Sequence, residues 1–262
     1  MIRYLRLWTA FFRNCLAREL EYRGHIIMQF LLDLTWYSVQ VALFEVLYLN
    51  THSIAGMDHG EMLVFLGTLF ITDAVNEMFF SHNFSRFPKL VAAGELDFYL
   101  IKPVSTYFIS FTRHMLISSW LNLAIGLGVL LYGMNEVGLA PAPQMIALYI
   151  VMVVCGNTIL LSLQAAVAAI AVFLVQADGI QHVFYTLYQF AMKPDAIYSR
   201  WMRRILLFVF PLALVASVPS RALLGTLTPD LAVLNIGGAF VLFFVSKWFF
   251  SWSLKHYSGA SA

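Results

Sequence analysis

The sequence predicts an all-α polytopic membrane protein, with an N-terminal interfacial amphipathic helix followed by six transmembrane helices. Three observations predict it. Of the 262 residues, 61% are hydrophobic and only 11% are charged, against roughly 25% charged in an average soluble domain. The mean hydropathy is +0.78. The few basic residues gather between apolar runs long enough to cross a bilayer, for which about 20 residues are needed. A soluble globule of this size carries far more polar surface. A water-soluble enzyme, a disordered tail and a nucleic-acid binder are therefore excluded.

Residues 1–24 form the interfacial element. Ile2, Leu5, Trp8, Phe11, Phe12, Cys15 and Leu16 recur at three- and four-residue spacing, against Arg3, Arg6, Arg13 and Arg18. That is the pattern of an amphipathic helix lying in a membrane surface. It does not read as a cleavable signal, because Arg13, Arg18, Glu19, Glu21 and Arg23 stand where a signal peptide has its apolar core.

Residues 25–254 read as a single six-span domain, followed by a short tail at 255–262. The spans are expected at 25–49, 61–83, 105–133, 143–175, 201–225 and 230–254. The third and fourth exceed what a bilayer needs, so they tilt or project beyond it. Pro211 and Pro219 break the fifth, and Gly225 and Pro229 separate it from the sixth. Proline removes a helix donor and kinks the helix, so 211–230 is a candidate to re-enter the membrane instead of crossing it.

The basic residues orient the spans. Arg3, Arg6, Arg13, Arg18 and Arg23 precede the first span. Arg86, Lys89 and Lys102 lie between the second and third, with Arg113 just inside the third. Lys193, Arg200, Arg203 and Arg204 lie between the fourth and fifth, and Lys247 and Lys255 at the end of the sixth. The outer loops, 50–60 and 134–142, contain no Lys or Arg, and the last outer connection contains only Arg221. The positive-inside rule makes the basic side cytoplasmic, with both termini on it. Trp248, Trp252 and Tyr257 fit an interfacial belt at the last exit.

Catalytic signatures are missing. The sequence has no Gly-x-x-x-x-Gly-Lys-Ser/Thr and no Gly-x-Gly-x-x-Gly, so the chain is not expected to hydrolyse ATP alone. No serine sits in a Gly-x-Ser-x-Gly elbow. No His-Glu-x-x-His is present, and Glu77 and His82 are spaced to diverge on one helix. Cys15 and Cys155 fall in unlike segments and supply neither a disulfide nor a metal site.

Ionisable residues inside the spans form a second pattern. Asp33 lies about eight residues into the first span, Glu77 about six from the inner end of the second, and Arg113 about eight into the third. These depths agree within one helical turn. Asp73 lies one turn beyond Glu77 on the same face. Unpaired charge is costly at such depth, so Arg113 is expected to neutralise Glu77 or Asp33. The network belongs either to helix packing or to the transport path. Small residues in the fourth span, Gly156, Ser162, Ala165, Ala166, Ala168, Ala169 and Ala171, suit close helix approach. They face either this subunit or another, and Gly237 and Gly238 in the sixth span share that ambiguity. Residues 179–195, with Phe184, Tyr185, Tyr188 and Phe190, read as a second interfacial helix or a lipid-facing gate.

The longest inner loop, 84–107, carries the clearest local signals. A short helix is expected from Pro88 to Ala93, since proline suits a first turn. Gly94 then ends it, Glu95 and Asp97 follow, and Lys102-Pro103 resets the chain. The run Gly94-Glu95-Leu96-Asp97-Phe98-Tyr99-Leu100-Ile101-Lys102-Pro103-Val104 resembles the Gly-Glu-Leu-Asp…Lys/Arg-Pro-Val signature of one group of bacterial type-2 ABC permeases, the exporter class. A second stretch agrees: Ile197-Tyr198-Ser199-Arg200-Trp201-Met202-Arg203-Arg204, Phe210-Pro211-Leu212-Ala213 and Pro219-Ser220-Arg221-Ala222-Leu223-Leu224-Gly225. It resembles that group's Tyr-Pro-Arg-Trp-Leu-Arg, Pro-Leu-Ala and Pro-Ala-x-x-Leu-Leu-Gly pattern, with Ser199 where proline is usual.

The resemblance implies a coupling helix between spans 2 and 3, in a cytoplasmic loop at 84–104, and a re-entrant hairpin between spans 5 and 6. It implies two permease halves, identical or homologous, on two copies of an ABC ATPase subunit that bind the ATP and Mg. This chain itself holds no cofactor and no metal. Carried over, 87–100 is the coupling element. Lys89, Gly94, Glu95, Asp97, Lys102 and Pro103 form the docking segment, and Pro211, Pro219, Arg221 and Gly225 mark the re-entrant one. The function implied is ATP-driven export across a bacterial inner membrane, of an amphiphilic or lipid-like substrate.

Overall fold

The computed structural model describes residues 2–21, 23–174 and 178–257. Residue 175 of the expected fourth span and residues 258–262 of the expected tail lie outside them. The described chain is helical, and its one isolated bridge, Ile54 to Met57, closes a turn.

Helix α1 spans Ile2–Glu21 and α2 spans Arg23–Tyr48. Helix α3, His59–Asn76, runs through a π turn at Glu77–Ser81 into α4, His82–Ala92. This is one rod of 34 residues, or about 51 Å at 1.5 Å per residue. The hydrocarbon core is only about 30 Å thick, so the rod carries the chain well beyond it. The short helix expected at Pro88–Ala93 is thus the tip of the second span. Pro88 lies inside α4, and the carbonyl it leaves without a helical donor, that of Phe84, accepts from Gln181 Nε2 at 2.6 Å. Gly94, at φ +72°, ends the rod, with Glu95 N–H donating to Leu90 O. That is the six-to-one closure of a left-handed helix cap.

Helices α5, Asp97–Leu100, and α6, Thr106–Thr112, lead to α7, Ser119–Val137. The third span is therefore not the continuous helix expected over 105–133, because residues 113–118 are non-helical. Its N–H groups are met from elsewhere. Asn83 Oδ1 accepts from His114 N–H and Asn83 Nδ2 donates to His114 O. Cys15 Sγ accepts from Met115, the π-turn carbonyl of Met78 accepts from Leu116, and the Glu19 carboxylate accepts from Ile117 and Ser118. Buried backbone donors need partners, and side chains of α1 supply three of these. Neither cysteine is in a disulfide.

Helix α7 lies against α3 through glycines spaced by seven. A Cβ on Gly67 would fall 2.5 Å from Leu130 N, and one on Gly126 would fall 2.9 Å from Ile71 N. Gly60 and Gly133 meet their neighbours equally closely. Lipid offers helices little hydrophobic reason to associate, so such backbone approach is what holds them.

Helices α8, Pro143–Ala171, α9, Asp178–Tyr188, α10, Arg200–Phe208, α11, Ala213–Leu224, and α12, Pro229–Leu254, complete the fold. Five helices are long and apolar enough to cross a membrane, and six if α10 and α11 are one broken span. The break expected within 201–225 is present, and α10 and α11 are bent by 99° across it. The bend holds Pro211, whereas Pro219 sits inside α11 without breaking it. Val215, four residues before Pro219, turns its carbonyl toward Gly156 of α8, where a Cβ would approach it to 2.8 Å. Gly156, Ala165, Ala168, Ala169 and Ala171 are buried within this chain, which settles that stripe as packing inside one subunit. Gly238 touches Leu214, while Gly237 faces open space.

Helix α9 packs on the rod along one face. Gln181 reaches Phe84 and Tyr188 reaches Asp73, so α9 runs along the α3–α4 rod with Phe184 and Tyr188 buried.

Candidate functional site

Two sites sit on the α3–α4 rod, one at its tip and one at the π turn.

At the tip, Leu96 and Tyr99 are buried and anchor the α4–α5 corner. Around them Glu95, Asp97, Phe98, Ile101, Lys102 and Pro103 are exposed, with Lys89 exposed on α4. Phe98 and Ile101 are 64% and 78% exposed. This makes the corner apolar at its crest as well as charged, and sequence reasoning singled out neither residue. Their signal was the three-residue alternation with Leu96 and Tyr99. Behind the corner, Phe87, Phe111 and Phe250 meet at ring centroid distances of 5.3 to 6.0 Å. The tip is thereby tied to α6 and α12. Arg113 donates to Tyr99 Oη at 2.8 Å and lies over its ring at 5.2 Å.

At the π turn, Asp33, Asp73 and Glu77 line one cavity of about 260 Å³ with Trp36, Tyr37 and Tyr188. Asn122 Nδ2 donates to Asp33 Oδ2 at 2.7 Å and to Glu77 Oε2 at 3.3 Å. Gln29 donates to Asp33, and Tyr188 donates to Asp73. Asn76 and Gln164 pair across the wall. Arg113 does not join them. It lies in the break between α6 and α7 and turns to Tyr99, so the expected pairing with Glu77 or Asp33 is replaced by the Asn122 bridge. The depth argument failed because it placed Arg113 on a helix that has already ended. Asn122, a lone amide in an apolar run, was the available signal for the true bridge. Among the described residues no Lys or Arg lines this cavity. Buried in lipid, such a set of carboxyls is relieved by shared protons or by a positive group entering among them.

The residues expected to mark a re-entrant segment have structural roles. Asp195, 2% exposed, pairs with Arg203 Nε at 2.7 Å and with Arg221. Its own N–H donates to Ser217. The bent α10–α11 pair thus brings Arg221 back to the turn that precedes α10. Gly225 takes φ +70° to end α11. Among the described residues no group of His, Cys, Asp and Glu is arranged to hold a metal ion.

Apolar helices that cross a membrane, a polar cavity between them and an exposed corner at one end define a multi-pass membrane transport subunit. Residues 34–261 match the family described as ABC-2 family transporter protein, and the chain belongs to that family. No curated protein and no solved structure matches the chain. The family is a permease subunit without an ATPase domain, associated in the membrane with ATPase subunits.

Proposed function

We propose that the chain is the permease subunit of an ATP-driven exporter in a bacterial inner membrane, with both termini cytoplasmic. Two permease chains, identical or homologous, form the pathway and are moved by two copies of a separate ATPase that binds the ATP and Mg. The observation that carries this reading is the α4–α5 corner, an exposed charged and apolar knob on the end of a rod that begins across the membrane. A push on the knob is delivered along the rod to the π turn and its cavity. Exposed ion pairs contribute only about 0–1 kcal/mol each, so Glu95 and Asp97 set register, while Phe98 and Ile101 supply the buried area. The cavity at Asp33, Asp73 and Glu77 takes the polar part of an amphiphilic or lipid-like substrate, and its aromatic wall takes the apolar part.

The test is co-purification and transport. Replacing Glu95 and Asp97 by Lys, or Phe98 by Asp, is expected to release the ATPase while the permease stays folded. Glu77→Gln is expected to lower transport with the complex intact. Transport in vesicles that persists without ATP would sink the proposal.

A further inference from the structure

A second polar cavity, of about 490 Å³, opens between α4, the α4–α5 corner, α6 and the 113–118 break. Its charged walls are Arg86, Lys89 and Arg113, with His82 and His114 beside them and Glu95 as the one acid. Ser110, 6% exposed, lines it, and its buried hydroxyl has no hydrogen-bond partner. Arg113 spends one donor on Tyr99, and a guanidinium has five. An adjoining cavity of about 730 Å³ shares His82 and Arg86 and is lined mainly by polar groups, Arg18, Glu19, Gln29 and Glu77 among them, with Ile26 and Leu116.

Depth indicates what enters. The hydrocarbon core ends about 20 residues after His59, near Phe79. Arg86 follows within two turns, where phospholipid headgroups lie. We propose that this cavity binds the phosphate of an anionic membrane lipid, held by Arg86, Lys89 and Arg113 with the Ser110 hydroxyl completing the cradle. Guanidinium forks match phosphate geometry, and basic pockets on the inner side of membrane helices suit such headgroups.

His114 lies among the same cations. Burial, then Arg86, Arg113, His82 and Arg18, push its imidazole down to about 3. Burial is the larger cause, and the cations that add to it are ones that favour an anion in the cavity. The proposal concerns the permease chain in a bilayer and does not depend on the ATPase or on a second half.

The experiment uses the full chain reconstituted in vesicles of equimolar phosphatidylglycerol and phosphatidylcholine, then released into detergent for native mass spectrometry. Phosphatidylglycerol is expected to be retained preferentially. The R86Q/K89Q variant is expected to lose about fivefold of that preference per charge removed, whereas R86K/K89R keeps it. Equal retention of the two lipids would overturn the proposal, as would loss of preference in the charge-retaining variant. Addition of inorganic phosphate separates the sources. If it displaces the lipid at low concentration, the site takes free phosphate and the lipid assignment falls. If the lipid stays, the assignment stands.

Discussion

Gln181 Nε2 donates to the Phe84 carbonyl at 2.6 Å, the acceptor that Pro88 leaves empty inside α4. The amide of a distant helix thus replaces the donor that proline lacks. Gln181→Leu is expected to destabilise the protein by about 1–3 kcal/mol, because a buried acceptor loses its partner. Pro88→Ala restores an N–H four residues along, so Q181L/P88A should recover much of that loss. Thermal unfolding in detergent reads both. A double variant no better than Q181L alone would show that the bond is incidental.

Arg113 and Tyr99 should be energetically coupled, and Arg113 and Glu77 should not. In a double-mutant cycle, Arg113→Ala with Tyr99→Phe is expected to give an interaction of about 0.5–3 kcal/mol. Arg113→Ala with Glu77→Gln should be additive. The reverse pattern would restore the ion pair that the depths of the two residues imply.

Gly67 and Gly237 should respond oppositely to alanine. At Gly67 the new Cβ meets Leu130 backbone at 2.5 Å, so α3 and α7 must part, at a cost of about 1–3 kcal/mol. At Gly237 nothing lies within 4 Å, and alanine should gain up to about 1 kcal/mol of helix propensity. Unfolding midpoints of the two variants check this.

Glu19→Gln should loosen the start of α7. The carboxylate accepts from Ile117 and Ser118 together, and bonds to a charged group contribute about 1.5–3 kcal/mol. Hydrogen exchange at Ile117, Ser118 and Met115 is expected to quicken, with exchange in α12 unchanged.

His114 should make stability depend on pH. Burial, then Arg86 and Arg113, hold its folded value near 3, below the unfolded value of about 6.5. Between the two, the unfolded chain binds a proton that the folded chain refuses. Stability from this group is present above about pH 6.5 and is lost as pH falls toward 3. His114→Gln should flatten that slope in a chemical-denaturation series.

Much of the architecture could be read from periodicity and charge. The apolar runs place α2, α3, α8 and α12, and Gly94 marks the end of the rod because only its position follows an apolar face and precedes Glu95 and Asp97. The break at 113–118 could not be read. It contains neither Gly nor Pro, and every group that satisfies it is more than 30 residues away in the sequence. The carboxyl cavity was half legible. Asp33, Asp73 and Glu77 stand out by charge, but their bridge, Asn122, is set by the register of α7, which the break shifts. The packing of α9 on the rod could not be read, because aromatic residues suit an interface and a protein interior alike.

The stitched break carries a consequence for how the chain is made. Cys15, Glu19, Met78 and Asn83 all precede it in the sequence. When residues 113–118 leave the ribosome, each of their partners has already been synthesised. The bare donors therefore meet their acceptors on entry and have no need to wait in lipid for the rest of the protein. A graft that moved α1 to the other end of the chain would lose that order. It should then insert α7 poorly and be cleared by proteolysis during synthesis.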